Sequence, residues 1–165
     1  MRFDQTSGIP AVNFLKKLKL KELEQILKKF GEERYSRKIA YNIYHSPNLK
    51  TTSDLKNIIH KSTPPANRTK SFSRVFQAIR IAINRELEII ENFLNMFIDY
   101  LSRRGKIVII SYHSLEDRLV KHAFKKLKQK GLINILTKKP VIPSKEEVNT
   151  NSRSRSAKLR AAEKI

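Results

Sequence analysis

The chain has 165 residues, 39% of them hydrophobic and 30% charged, a mixture suited to one domain of ordinary size with a continuous core and long solvated faces. Its 35 lysines and arginines against 15 acidic residues give a formal charge of +20, which favours a polyanionic partner such as RNA, DNA or an anionic membrane surface. With no cysteine, disulfides and thiolate metal ligands are excluded and a reducing, cytoplasmic setting is suited; no apolar run approaches the roughly 20 residues that cross a bilayer, and no secretory-signal pattern opens the chain, so membrane insertion is not expected.

Compositional drift toward lysine would raise the charge without creating a binding surface, and clustering separates the two readings. The basic residues cluster between Lys16 and Lys29 and again from Lys121 to Arg160.

In chain order, Phe14, Leu15, Leu18, Leu23, Ile26, Leu27 and Phe30 recur at helical steps and predict an amphipathic helix broken at Gly31. Tyr35, Ile39 and Ile43, with Ala40 and Tyr44 beside them, predict a second helix from about Glu32 to Tyr44. Thr52 or Ser53 can cap a third, short helix through Leu55, Ile58 and Ile59, which Pro64 and Pro65 prevent from continuing. The strongest periodicity, from Phe76 through Ile79, Ile83, Leu87, Ile90, Leu94 and Phe97 to Leu101, predicts one long core-facing helix.

Gly105 then stops the helix, and the β-branched run Ile107 to Ile110 predicts a parallel strand covered on both faces. Ser114, with Asp117 three residues on, matches a capping pattern for a helix through Leu115, Leu119, Val120, Ala123, Phe124 and Leu127, ended by Gly131. Leu132 to Leu136 is a short strand candidate, and Asn149 to Ser156 reads as exposed connection. The tail from Ser156 to Ile165 has helical composition, yet Ala157, Leu159 and Ala161 alternate with Lys158 and Arg160 as a half-buried strand would. This succession is an α/β arrangement, in which ligands gather at the carboxyl ends of strands.

Ser111, Tyr112 and His113 stand at such an end, offering a hydroxyl, a phenol and an imidazole. A structural reading stands beside the chemical one: Ser114 as cap, Tyr112 as packing, His113 as a lone imidazole without an acid partner. The four histidines include no pair spaced as helical metal ligands are, so no metal site is expected. Arg153 and Arg155, interleaved with serines, can grip phosphates or can be a solvated loop.

Several blocks of this sequence resemble the bacterial family that methylates the exocyclic N4 amine of a cytosine in small-subunit rRNA. They are Met1 to Gly8 (MRFDQTSG), Phe30 to Tyr35 (FGEERY), Arg74 to Ile81 with Asn84, Glu86 and Leu87, and Ile109 to Lys121 (IISYHSLEDRLVK). Leu136 to Ser144 and Arg153 to Lys164 complete the series, in family order along nearly the whole chain. The Lys70, Ser71, Phe72 stretch and the short connection after Lys130 depart from the family pattern.

The resemblance implies the carboxyl-terminal part of a class I, Rossmann-like methyltransferase dependent on S-adenosyl-L-methionine, with residues 10–67 as an inserted helical domain and residues 1–9 and 68–165 in the methyltransferase domain. It makes Ile107 to Ser111 the fifth strand and the tail an antiparallel seventh. It places the glycine-rich turn and the other main donor-binding residues upstream of Met1, so none can be assigned in this chain. A fifth strand without its fourth would present an unpaired apolar edge, which invites pairing. By this resemblance Ser111, Tyr112 and His113 line the pocket for the base, and Arg34, Arg37, Arg153, Arg155 and Lys158 meet phosphates of small-subunit rRNA or the ribosomal subunit. The alternatives are a non-catalytic rRNA-binding remnant, the carboxyl-terminal half of a split enzyme with a separate amino-terminal half, or a structural partner that completes another chain's sheet.

Overall fold

A computed structural model describes residue 6 and residues 8–165. Of the block from Met1 to Gly8, all but Thr6 and Gly8 lie outside the described residues. The chain divides into two compact units, Met1–Glu86 and Leu87–Ile165.

The first unit is helical: α1 (Ala11–Lys17), α2 (Leu20–Gly31), α3 (Ser36–Tyr44), α4 (Thr52–Ser62) and α5 (Arg68–Asn84). Its core is built largely from the apolar stripes read in the sequence, with Leu23, Leu27, Ile39, Ile59 and Ile79 fully buried, and Val75 buried in place of its stripe neighbour Phe76. The first stripe is carried by two helices, because Leu18 and Lys19 turn extended and the Lys19 N–H donates to the Glu22 carboxylate at 2.7 Å, which restarts the helix. The third helix is capped by Thr51, one residue before the expected Thr52 or Ser53. Its hydroxyl accepts from the Asp54 N–H, while the Asp54 carboxylate accepts from the Thr51 and Lys50 N–H groups.

The predicted long helix is two helices. α5 ends at Arg85, which takes a left-handed conformation (φ 52°), and α6 (Glu86–Tyr100) follows. Polar groups impose the break: Arg80 grips Glu86 through two hydrogen bonds of 2.9 and 3.1 Å, and the Asn84 amide donates to the Arg80 carbonyl. The division between the compact units falls after Glu86, since α5 packs on α2.

In the second unit, α6 is followed by β1 (Lys106–Ser111), α7 (Ser114–Gln129), β2 (Ile133–Ile135), α8 (Lys145–Thr150) and β3 (Lys158–Lys164). The sheet has the order β1-β3-β2 with both pairs antiparallel; Val108 faces Ala161, Ser111 faces Lys158 and Ile133 faces Lys164. Leu94 and Phe97 of α6, Val120 and Phe124 of α7, Ile133 and Ala162 form the core, with Ile107 and Ile109 packed against it. The tail is thus a strand.

Two expectations about the strands fail. Among the described residues, β1 has β3 as its one sheet neighbour, and Val108 and Ile110 are 57% and 52% exposed, so it is an edge strand covered on one face rather than a parallel strand covered on both. In β3 the buried positions are Arg160 and Ala162, not Leu159 and Ala161, because Arg160 has a buried partner described below. The connection read as exposed also contains order: α8 and a 3-10 turn over residues 152–156.

Gly31 sits where α2 meets α5. A Cβ there would lie 2.7 Å from the Arg74 carbonyl oxygen and 3.2 Å from the Ala78 Cβ. Backbone cannot retreat as a flexible side chain can, so the overpacking cost of about 1–3 kcal/mol exceeds the helix-propensity gain of about 1 kcal/mol. Gly31→Ala is expected to lower the thermal melting temperature; an unchanged or raised value would show that the helices separate without cost.

Candidate RNA and base-binding site

At the end of β1 the chain turns directly into α7. Ser111 is buried (3% exposed), Tyr112 projects to solvent and His113 is the N-cap of α7, with most of its ring covered. The cap lies one residue before the expected Ser114. His113 Nδ1 accepts the Glu116 N–H at 3.3 Å, and the Glu116 carboxylate accepts from the Tyr112 and His113 N–H groups at 2.8 and 3.2 Å. Because a backbone N–H can donate only to an unprotonated ring nitrogen, the ring proton belongs on Nε2, which lies 3.3 Å from Glu116 Oε1. A carboxylate thus stands close to the buried Nε2, without the geometry of a hydrogen bond to it. Its Nδ1 lone pair is engaged in holding the Tyr112–His113 backbone.

Asp117 of α7 is bound by Arg160 of β3, with bonds of 2.6 Å (Nε to Oδ1) and 3.2 Å (Nη2 to Oδ2) between largely buried side chains. Lys158 reaches to 3.9 Å from the same carboxylate and is partly exposed. Since Lys158 stands opposite Ser111 in the ladder, the structure brings this lysine to the Ser111–His113 segment. Arg153 and Arg155 are exposed on the 3-10 turn, while Ser154 between them is buried and its hydroxyl donates to the Asn151 carbonyl at 2.8 Å. The buried serine anchors a turn that displays two guanidinium groups.

Arg34 and Arg37 belong to the helical unit. The carboxylate of buried Glu33 accepts the Tyr35 N–H at 2.9 Å, and the Tyr35 hydroxyl accepts from the Asn67 amide at 3.1 Å. This fixes the α2–α3 connection from which Arg34 projects. Arg34, Arg37, Lys38, Lys21 and Tyr41 help line an open groove of ≈ 710 Å³ between α2 and α3. Lys38 and Tyr41 were not singled out in the sequence; they occupy the solvent side of α3, opposite the apolar stripe that draws attention there.

Gly31 serves helix packing, Gly105 closes against the Ser102 carbonyl, and Gly131 stands in open space with φ +71°. None lies in a glycine-rich strand-to-helix turn of the sort that lets backbone approach a nucleotide-like ligand.

The profile of the MraW methylase family matches residues 1–165. The chain belongs to that methylase family. It is 44% identical to the ribosomal RNA small subunit methyltransferase H of Acaryochloris marina and covers 56% of that protein. It is 44% identical to the protein of the same name from Caldicellulosiruptor saccharolyticus, covering 60%, and 46% identical to that of Kosmotoga olearia, covering 57%. In each case the whole of this chain is matched, so the chain spans somewhat over half the length of the curated relatives it matches.

Hydrogen bonds from Arg160 hold the Asp117 carboxyl below the usual carboxylate range, against the opposing effect of partial burial. The unfolded chain therefore takes up this proton more readily than the folded one. The contribution to stability is complete above the unfolded value of about 4 and is lost as pH falls through the lower, folded value. Asp117→Asn is expected to cost about 2–3 kcal/mol at neutral pH by leaving a largely buried guanidinium poorly paired, with the gap to the parent narrowing below about pH 4. Denaturant melts across pH would read this; a gap independent of pH would remove the ion pair as its cause.

Proposed function

We propose that this chain supplies the base-binding and RNA-gripping part of an S-adenosyl-L-methionine-dependent enzyme that methylates the N4 amine of a cytidine in small-subunit rRNA. The observation that carries this reading is the family match along the full chain, to relatives whose name is a small-subunit rRNA methyltransferase. The site is consistent with it. Tyr112 offers an exposed aromatic face for an unpaired base, and His113 and Glu116 hold the backbone that carries it. Ser111 closes the end of β1 behind them. Arg153, Arg155 and Lys158 grip phosphates beside this segment, and Arg34 and Arg37 do so on the helical unit.

The donor-binding residues lie, on this reading, outside these 165 residues. The bare edge and exposed apolar side chains of β1 favour a donor-binding portion that completes the sheet, whether contiguous with this chain or encoded as a separate amino-terminal half. The cytoplasm, where ribosomal subunits are made, is the setting this reading requires.

On this reading His113 both caps α7 and presents its ring to the base, and the two roles can be separated in the active protein that contains this chain. Asn is a good N-cap, so His113→Asn is expected to keep the fold within about 1 kcal/mol while lowering rRNA methylation at least tenfold. Unchanged turnover in that variant would reduce His113 to a cap. RNA gripping has its own readout in the salt dependence of binding to a small-subunit rRNA fragment. Affinity should fall steeply as salt rises, and Arg153→Gln with Arg155→Gln should lower the log–log slope by about 2; a flat salt response would sink the phosphate assignments.

A further inference from the structure

The solvent side of α3 carries a feature that the proposed reaction does not use. Tyr41, Tyr44 and His45 form a cluster of three aromatic rings: Tyr41 and His45 lie 4.2 Å apart between centroids at 35°, and Tyr44 meets His45 at 5.2 Å edge to face. They are not core. Tyr41 and Tyr44 are 54% and 53% exposed, whereas Ile39 and Ile43 of the same helix are buried at 0% and 4%. The His45 ring is tethered, since its Nδ1 lies 2.9 Å from the Tyr41 carbonyl oxygen, an atom that can only accept. The cluster is thus ordered before anything binds to it, which reduces the entropy lost on binding.

The surroundings select its partner. Tyr41 also lines the ≈ 710 Å³ groove between α2 and α3, whose other walls carry Lys21, Arg34, Arg37 and Lys38 against the single carboxylate of Glu24. Lys38, Tyr41 and His45 follow one another at helical steps of three and four residues, so the cationic groove runs into the aromatic rings along one helix face. Aromatic faces continuous with a cationic groove match a ligand that alternates planar rings with negative charge. Single-stranded nucleic acid has that composition, and a duplex does not expose it, because its bases are stacked on one another.

We infer that the Tyr41–Tyr44–His45 cluster is a stacking seat for unpaired nucleotides of RNA, with Arg34, Arg37 and Lys38 holding the adjoining phosphates. This rests on the reading of the chain as an RNA binder and adds to it a second contact, made through bases, away from the Ser111–His113 segment. The seat tolerates any base, since every base has a face to stack, and so contributes affinity for a strand that is open at this point rather than for a sequence.

The chain has no tryptophan, so Tyr41→Trp installs one fluorophore in the proposed seat, and Tyr100→Trp, at a 77% exposed position of the second unit, provides the control. Titrated with a single-stranded oligoribonucleotide, the Tyr41→Trp chain should be quenched to saturation, the Tyr100→Trp chain should not, and a blunt-ended RNA duplex or polyglutamate should quench neither comparably. In direct binding, Tyr41→Ala with Tyr44→Ala should weaken single-strand affinity on the order of 10-fold at unchanged salt slope. Tyr41→Phe should retain the affinity, and Lys38→Gln should lower the slope by about 1. Intact single-strand affinity in the double alanine variant, with no quenching at position 41, would overturn the seat while leaving RNA binding in place. Absence of RNA binding by the unsubstituted chain would overturn both, and equal quenching by polyglutamate would reduce the groove to a general anion surface.

Discussion

The carboxyl-terminal strand holds the second unit together. β3 lies between β1 and β2, so every ladder of the sheet includes it, and Ala162 at its centre is fully buried. Its flanking residues extend the hold to the helices. Arg160 binds Asp117 of α7, and the Lys164 ammonium donates to the Ile98 and Leu101 carbonyls at 2.8 Å each, where α6 ends with carbonyls that lack intrahelical partners. A segment of seven residues thus fixes two helices and two strands, and with them the point where β1 delivers Tyr112 to the surface and His113 to the cap of α7.

That dependence explains which parts of the fold were legible in the sequence. Helices and their buried faces could be read because amphipathic periodicity is local; Leu23, Leu27, Ile39 and Ile79 are all on predicted stripes and all lie in the core. The break at Arg85 could not be read, because the apolar stripe runs on through it and the cause is a polar cluster of Arg80, Asn84 and Glu86. The cap of α7 shows the same limit at finer grain. Ser114 with Asp117 and His113 with Glu116 are both capping pairs one residue apart. The choice falls to His113 because Asp117 is taken by Arg160, a partner 43 residues away. The same pairing puts Arg160 inside and leaves the apolar Leu159 on the less buried face, opposite to what alternation alone suggests.

The candidate site was legible in its parts and not in its assembly. The Ser111 to His113 run was placed by the β-branched strand before it, and Lys158 by the basic tail. That the two face each other is a matter of strand register, which no local pattern encodes. On α3 the eye follows the buried Ile39 and Ile43, and the aromatic residues on the opposite side gain meaning only when Tyr41 and His45 are seen in contact beside a cationic groove.

The two units expose surfaces of opposite character. On the helical unit the exposed aromatic rings adjoin four cations, so water and counterions can cover the groove until an anion replaces them. On the second unit Val108 and Ile110 of β1 are joined by Phe93, Met96 and Tyr100 of α6 as exposed apolar side chains, and a wholly apolar hollow of ≈ 310 Å³ opens beside Ile107. Among these, Lys106 is the charged residue of β1 that could discourage pairing, and its ammonium is drawn to Glu163 at 3.9 Å. Among the described residues β1 has one unpaired edge, and Val108 and Ile110 lie on the sheet face opposite the core-packed Ile107 and Ile109, where apolar side chains are costly to leave in water. The two surfaces therefore differ in kind: a cationic groove with exposed rings on the helical unit, and exposed apolar side chains on β1 and α6 of the second.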